Sequence, residues 1–167
     1  MNTRLKSLSL LAMTIAVSGC VSSNGMVSFK RPSSKEGLTT MERQLSMARL
    51  GERHGQTATA HKIYEKVLLQ DADNVEALHR LGVMSAKTQD YETAISYLTK
   101  AEMKDPSNVE LLNDLGYALF LTDDLSGAEE KLRLAIRLNP SHRAARNNLG
   151  LVLGNAGRWD ECMVQFK

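Results

Sequence analysis

The feature that most constrains this chain is a beat of 34 residues. Gly82, Gly116 and Gly150 stand 34 apart, and so do Leu81, Leu115 and Leu149. Ala60, Ala94, Ala128 and Cys162 keep the interval, as do Pro106 and Pro140. Four classes of position locked in one phase leave few folds open. Such a period marks a unit that cannot bury its apolar face alone and stacks on copies of itself. The chain has 167 residues, room for one array and not comfortably for a second domain.

Within one period the pattern is that of two helices. Leucines three and four apart form a seam, and a glycine in the first helix and an alanine in the second let the backbones approach closely. The segments KDPSN and RLNPSH end the second helix, because proline lacks an amide hydrogen and restricts the residue before it. Gln89-Asp90 and Asp123-Asp124 fall at the inner turns. Thr39 lies three residues before Glu42, and Ser107 three before Glu110, so both are candidate capping boxes.

These residue types at these offsets resemble the tetratricopeptide repeat. The second unit carries Leu78, Leu81-Gly82, Ala94, Leu98 and Pro106; the third carries Leu112, Leu115-Gly116, Ala128, Leu132 and Pro140. In the fourth, Leu149-Gly150, Cys162 and Phe166 match while Arg146 replaces a bulky residue. In the first, Met47-Ala48, Ala60 and Tyr64 fit, but Gln44, Gly51 and Ala72 depart from the pattern. The resemblance covers about three quarters of the chain and implies an all-α fold, a solenoid of antiparallel helix pairs. It places the repeat domain at 40–167, with units at about 41–74, 75–108, 109–142 and an incomplete 143–167.

In this family the first helices line a concave groove that takes a protein or peptide ligand. Carried over residue by residue, the groove positions are Arg49 and Glu52, then Glu76, His79 and Val83. Glu110, Asn113, Tyr117 and Phe120 follow in the third unit, and Asn147 and Leu151 in the fourth. The spacing 110, 113, 117, 120 puts four side chains along one helical face. Tyr117 and Phe120 would be aromatic anchors, flanked by hydrogen-bonding Asn113 and Asn147. Leu45, His79 and Asn113 stand where the family's clamp for a terminal carboxylate would need lysines and arginines, which disfavours a receptor for chaperone tails.

The N-terminal segment points to export. Met1–Val17 has a short basic start with Arg4 and Lys6, the apolar run LSLLAMTIAV, then small residues. That run has about half the length a membrane-spanning helix needs. Val17-Ser18-Gly19-Cys20 resembles the lipobox of bacterial lipoproteins, which implies removal of residues 1–19 and lipidation of Cys20. Val21, where aspartate would favour retention at an inner membrane, implies an outer-membrane destination facing the periplasm. Residues 20–39, rich in serine and glycine, read as a flexible stem with a root-mean-square reach of about 25 Å. The 21 basic and 19 acidic residues become 19 and 19 once Arg4 and Lys6 are gone. A neutral mature chain lacks the clustered positive charge that nucleic acid requires.

Motifs for catalysis are not found: there is no phosphate-cradling glycine loop, HExxH or G-x-S-x-G. No cofactor, metal or small-molecule substrate is expected. His54, His61, His79 and His142 read as solvated surface histidines, and Cys162 as a buried stand-in for alanine. GRWDECMVQFK stops partway through a second helix, so the natural polypeptide is expected to continue past Lys167 or to have a partner over this end. Signal, lipid site, stem and groove together resemble the repeat lipoproteins that assist tight-adherence pilus assembly and the type IV pilotins. An envelope adaptor that recruits cell-wall-modifying enzymes shares every one of these features. The abrupt ending also leaves room for a longer multidomain protein with a catalytic segment.

Overall fold

The computed structural model describes residues 39–165. The expected signal segment 1–19 and lipid site Cys20, nearly all of the expected stem 20–39, and Phe166 lie outside the described residues. Eight helices follow one another: α1 Thr40–Arg53, α2 Thr57–Leu68, α3 Val75–Lys87, α4 Tyr91–Lys104, α5 Val109–Leu121, α6 Leu125–Leu138, α7 Arg143–Asn155 and α8 Trp159–Gln165. Each odd helix folds back on the even helix after it, and each even helix packs on the next odd one. The described fold is an all-α stack of helix pairs, as the repeat predicts.

Local chemistry sets the boundaries. Thr39 and Glu42 form the reciprocal capping box at α1. At α5 the cap is Asn108, whose side chain accepts the Leu111 amide at 3.1 Å, and not Ser107. An asparagine carbonyl reaches the amide three residues on without needing a glutamate in return. Asn74 does the same for α3, and His142 for α7, where its Nδ1 accepts the Ala145 amide at 3.1 Å. These three caps are themselves 34 apart. The even helices α4 and α6 end at Asp105 and Asn139, each extended ahead of its proline. The inner turns at Gly55, Gln89, Asp123 and Gly157 all take left-handed backbone, with φ between 65° and 73°. Asp90 and Asp124 then cap α4 and α6.

The core is a continuous seam across the units. Tyr64, Val67 and Ala60 of α2 pack with Ala48 of α1 and with Ala77 and Leu81 of α3. Leu98 and Ala101 of α4 join Leu78 of α3 to Leu111, Leu115 and Ala118 of α5. Leu132 and Ala135 of α6 join Leu112 of α5 to Ala145, Leu149 and Leu153 of α7. No unit owns its core alone, so neighbours stabilise one another. Cys162 departs from expectation. It is half-buried, where Ala94 and Ala128 are fully buried, and its thiol donates to the Gly150 carbonyl at 3.2 Å. α8 packs mainly on α7, and Trp159, Met163 and Val164 are exposed.

The odd helices line one face of the stack, its inner face, and the even helices the other. α3 touches α5 and α5 touches α7 directly. Their even partners are linked instead by long side chains: Lys131 to Glu102 at 2.8 Å, Arg158 to Glu129 at 2.8 Å and Arg133 to Glu161 at 3.1 Å.

Two glycines predict opposite outcomes for one substitution. A Cβ on Gly116 would stand 2.7 Å from the branching Cγ of buried Leu132 and 3.2 Å from the Ala128 carbonyl, so a helix would have to move. On Gly51 its nearest neighbour would be the Ala60 Cβ at 3.6 Å, an ordinary contact. Gly116→Ala is expected to destabilise by about 1–3 kcal/mol through overpacking. Gly51→Ala is expected to stabilise by up to about 1 kcal/mol through helix propensity. Urea unfolding followed by circular dichroism separates them, and equal effects would refute the close-approach account.

Candidate interaction groove

The inner face begins at α1 and α3 with a cavity of about 530 Å³ lined by Ser46, Arg49, Glu52, Arg53, Glu76 and Arg80. Its acids are already engaged. Glu52 accepts the Tyr64 hydroxyl at 2.7 Å and Arg80 Nε at 2.9 Å, and Arg80 Nη2 bonds its other oxygen. Glu76 pairs with Arg49 at 2.7 Å. Burial, with the negative charge of Glu76 adding to it and Arg49 opposing, pushes the Tyr64 phenol up to about 12. The predicted groove residue Glu52 therefore ties α1, α2 and α3 together, and its side chain is only 13% exposed.

A second polar chain crosses α3, α5 and α7. His79 Nε2 lies 2.7 Å from Asp114 Oδ2, and Asn113 donates to the other Asp114 oxygen at 3.1 Å. Asn148 of α7 donates to the Asn113 carbonyl at 2.9 Å. Three expectations need correction here. Asn113 is buried, with 6% of its surface exposed; its NH2 donates to Asp114 of its own helix and its carbonyl accepts from Asn148 of α7, so neither is left for a ligand. His79 is no solvated histidine, since its side chain is 15% exposed and bound to a carboxylate. His142 is likewise structural: it caps α7 and its Nε2 reaches Glu110 at 3.0 Å, so Glu110 links α5 to the start of α7.

Between α3 and α5 the face opens into a slot of about 380 Å³, whose walls include Val83, Ala86, Leu98, Tyr117 and Leu121, with Lys87 and Asp114 among its lining residues. Tyr117 is 39% exposed. Phe120 stacks beside it, ring centroids 6.3 Å apart, but is half-buried against the α5–α7 core. The expected pair of anchors is thus one exposed ring with a second supporting it. Leu151 is half exposed and Asn147 exposed on α7, and neither lines the slot.

The structure thus brings Arg49, Glu52 and Glu76 to one cavity, and Val83 and Tyr117 to the other. Sequence reasoning missed Arg80, Asp114, Asn148, Lys87 and Leu121. The inner-face pairs His79–Asp114 and Asn113–Asn148 are each 35 residues apart, one period plus one, so a search for complementary polar residues at that offset finds them. Among the described residues no group of three or more His, Cys, Asp or Glu is placed to hold a metal.

Two substitutions test this division of labour. Phe120→Ala is expected to lower stability by about 1–3 kcal/mol, scaled from fully buried aromatics to a half-buried one. Tyr117→Ala is expected to stay within about 1 kcal/mol of the parent. Thermal melts compare them directly. Tyr64 gives a pH test. Its folded pKa lies above the ordinary value of 10, so its contribution is full below pH 10 and lost as pH rises toward about 12. A two-unit displacement corresponds to about 2–3 kcal/mol. Tyr64→Phe should therefore lose less melting temperature between those pH values than the parent does, and parallel curves would refute the assignment.

The comparisons with known proteins agree with the geometry. No curated protein sequence matches the chain. Tetratricopeptide repeat profiles match residues 45–109 and 85–147. A crystal structure of MamA is 31% identical, with a TM-score of 0.67 over 72% of this chain and 70% of that one. Another MamA structure is 29% identical, with a TM-score of 0.69 over 75% and 69%. A variant O-GlcNAc transferase from Thermobaculum terrenum is 27% identical, with a TM-score of 0.65 over 70% of this chain. The match spans only 23% of that enzyme. A fold shared this widely does not choose a function. The repeat positions, the helix pairing and these likenesses converge: the chain belongs to the tetratricopeptide repeat family.

Proposed function

We propose that the protein is a membrane-tethered scaffold of the bacterial cell envelope that holds a protein partner in its inner groove and assists assembly of a pilus or secretion complex. Tetratricopeptide repeat domains act as protein–protein interaction scaffolds. The observation that carries the reading is the slot between α3 and α5, with Tyr117 exposed beside it and the surrounding acids already paired. An exposed aromatic over an apolar recess is the kind of anchor that dominates interface energies.

The tether comes from Val17-Ser18-Gly19-Cys20, where small residues ahead of the cysteine suit lipid transfer to its thiol. Two or more acyl chains hold a protein firmly to a bilayer. Confinement to that surface raises the groove's effective concentration for a partner in the same plane. The near-even charge of the mature chain, 19 basic against 19 acidic residues, suits a protein partner better than nucleic acid.

Cys20→Ser is expected to move the protein from the membrane fraction to the soluble fraction of its own envelope. Retention in the membrane fraction without acylation would sink the lipoprotein reading. Independently, Tyr117→Ala with Leu151→Ala should reduce affinity capture of the partner from that envelope while leaving helicity intact. Unchanged capture would move the interaction off the inner face.

A further inference from the structure

The inner face is electrically polarised along the stack, and we infer that it selects a partner segment with acidic residues next to a bulky apolar one. This rests on the groove reading above and names the chemistry of its ligand. The acids of the first cavity, Glu52 and Glu76, are matched by Arg80 and Arg49. Asp114, in the slot, is hydrogen-bonded to His79, which carries a positive charge only when protonated. Two cations are left over. Arg53 lines the first cavity and Lys87 the slot, and among the described residues neither has an acidic partner.

Arg53 and Lys87 occupy one register position, 34 residues apart, in the last turns of α1 and α3. The same position is Leu121 in α5 and Asn155 in α7. The surplus positive edge is therefore confined to the α1–α3 half. The α5–α7 half presents Tyr117, Leu121 and Leu151, and its acids Glu110 and Asp114 are each hydrogen-bonded to a histidine. A uniformly apolar segment would strand two cations, and a uniformly acidic one would leave the slot unfilled. Only a segment carrying both kinds of side chain satisfies both halves.

The register can be estimated. α1 and α3 face each other across the first cavity, so their separation is no less than the about 8–10 Å of packed helices. With about 3.3 Å advanced per residue of extended chain, carboxylates meeting Arg53 and Lys87 would stand at least about three residues apart. The apolar side chain would follow within about two residues of the second carboxylate, in the slot walled by Val83, Tyr117 and Leu121. Both cations are exposed, so reversing their charge leaves the core untouched.

The test is selection of a random 12-residue peptide display library, about twice the length of the inferred motif, on the immobilised full chain. Enrichment of sequences with Asp or Glu within about five residues of Leu, Phe, Met or Trp is the expected result. The best such peptide should lose affinity about tenfold against Arg53→Glu with Lys87→Glu, and weaken as salt is raised. Enriched peptides without an acidic bias, or an affinity within about twofold of the parent for the double variant, would overturn the inference and leave the groove standing. A library from which nothing is enriched would sink the groove reading and this inference together.

Discussion

Everything in this stack depends on how close two helices of a pair can come. In the second and third pairs a glycine of the odd helix faces a leucine of the even one, with no space for another carbon. That approach lets Leu98 and Leu132 reach past their own partner helix and into the core shared with the next pair. The first pair solves the same problem differently. Ala48 stands in the glycine phase and Tyr64 in the leucine phase, and the tyrosine's hydroxyl must then be satisfied. Glu52 satisfies it, and Arg80 of the next pair neutralises Glu52. One substitution in the packing code thus creates the polar cluster at the start of the inner face.

The same logic separates the residues that hold the inner face from those that could use it. Buried polar groups have to be paired, and the low dielectric around them raises the penalty for failure. His79, Asp114, Asn113 and Asn148 answer that demand as a chain running across three odd helices. It fixes their relative positions and leaves the side chains one turn on, Val83, Tyr117 and Leu121, as the walls of the slot. The groove is therefore a polar spine with an apolar lip.

The fold was legible because its determinants recur. Glycine, leucine, alanine and proline in one phase carry the helix pairing, the turns and the core, and each instance supports the next. The groove was legible only in part. A single repeat shows which residues lie on the inner face, so Arg49, Val83 and Tyr117 could be picked out. It does not show what stands opposite them in the next unit. Asn113 looks like a groove residue until Asp114 and Asn148 close on it, and those pairings run at one period plus one or within the third unit itself. Phe120 shares a face with Tyr117, yet the neighbouring α6–α7 core claims its ring. His142 could not be recognised as a cap without noticing that Asn74 and Asn108 hold its place in earlier units.

The outer ion pairs have a mechanical consequence. On the inside α3 meets α5 and α5 meets α7 directly, and sub-ångström changes there would disturb packed side chains. On the outside the even helices are joined through Lys131–Glu102, Arg158–Glu129 and Arg133–Glu161, tethers built on side chains with several rotatable bonds. That asymmetry would make the inner seam the stiffer edge, so a bend of the stack would be opposed mainly by outer charges whose attraction weakens as ions accumulate around them.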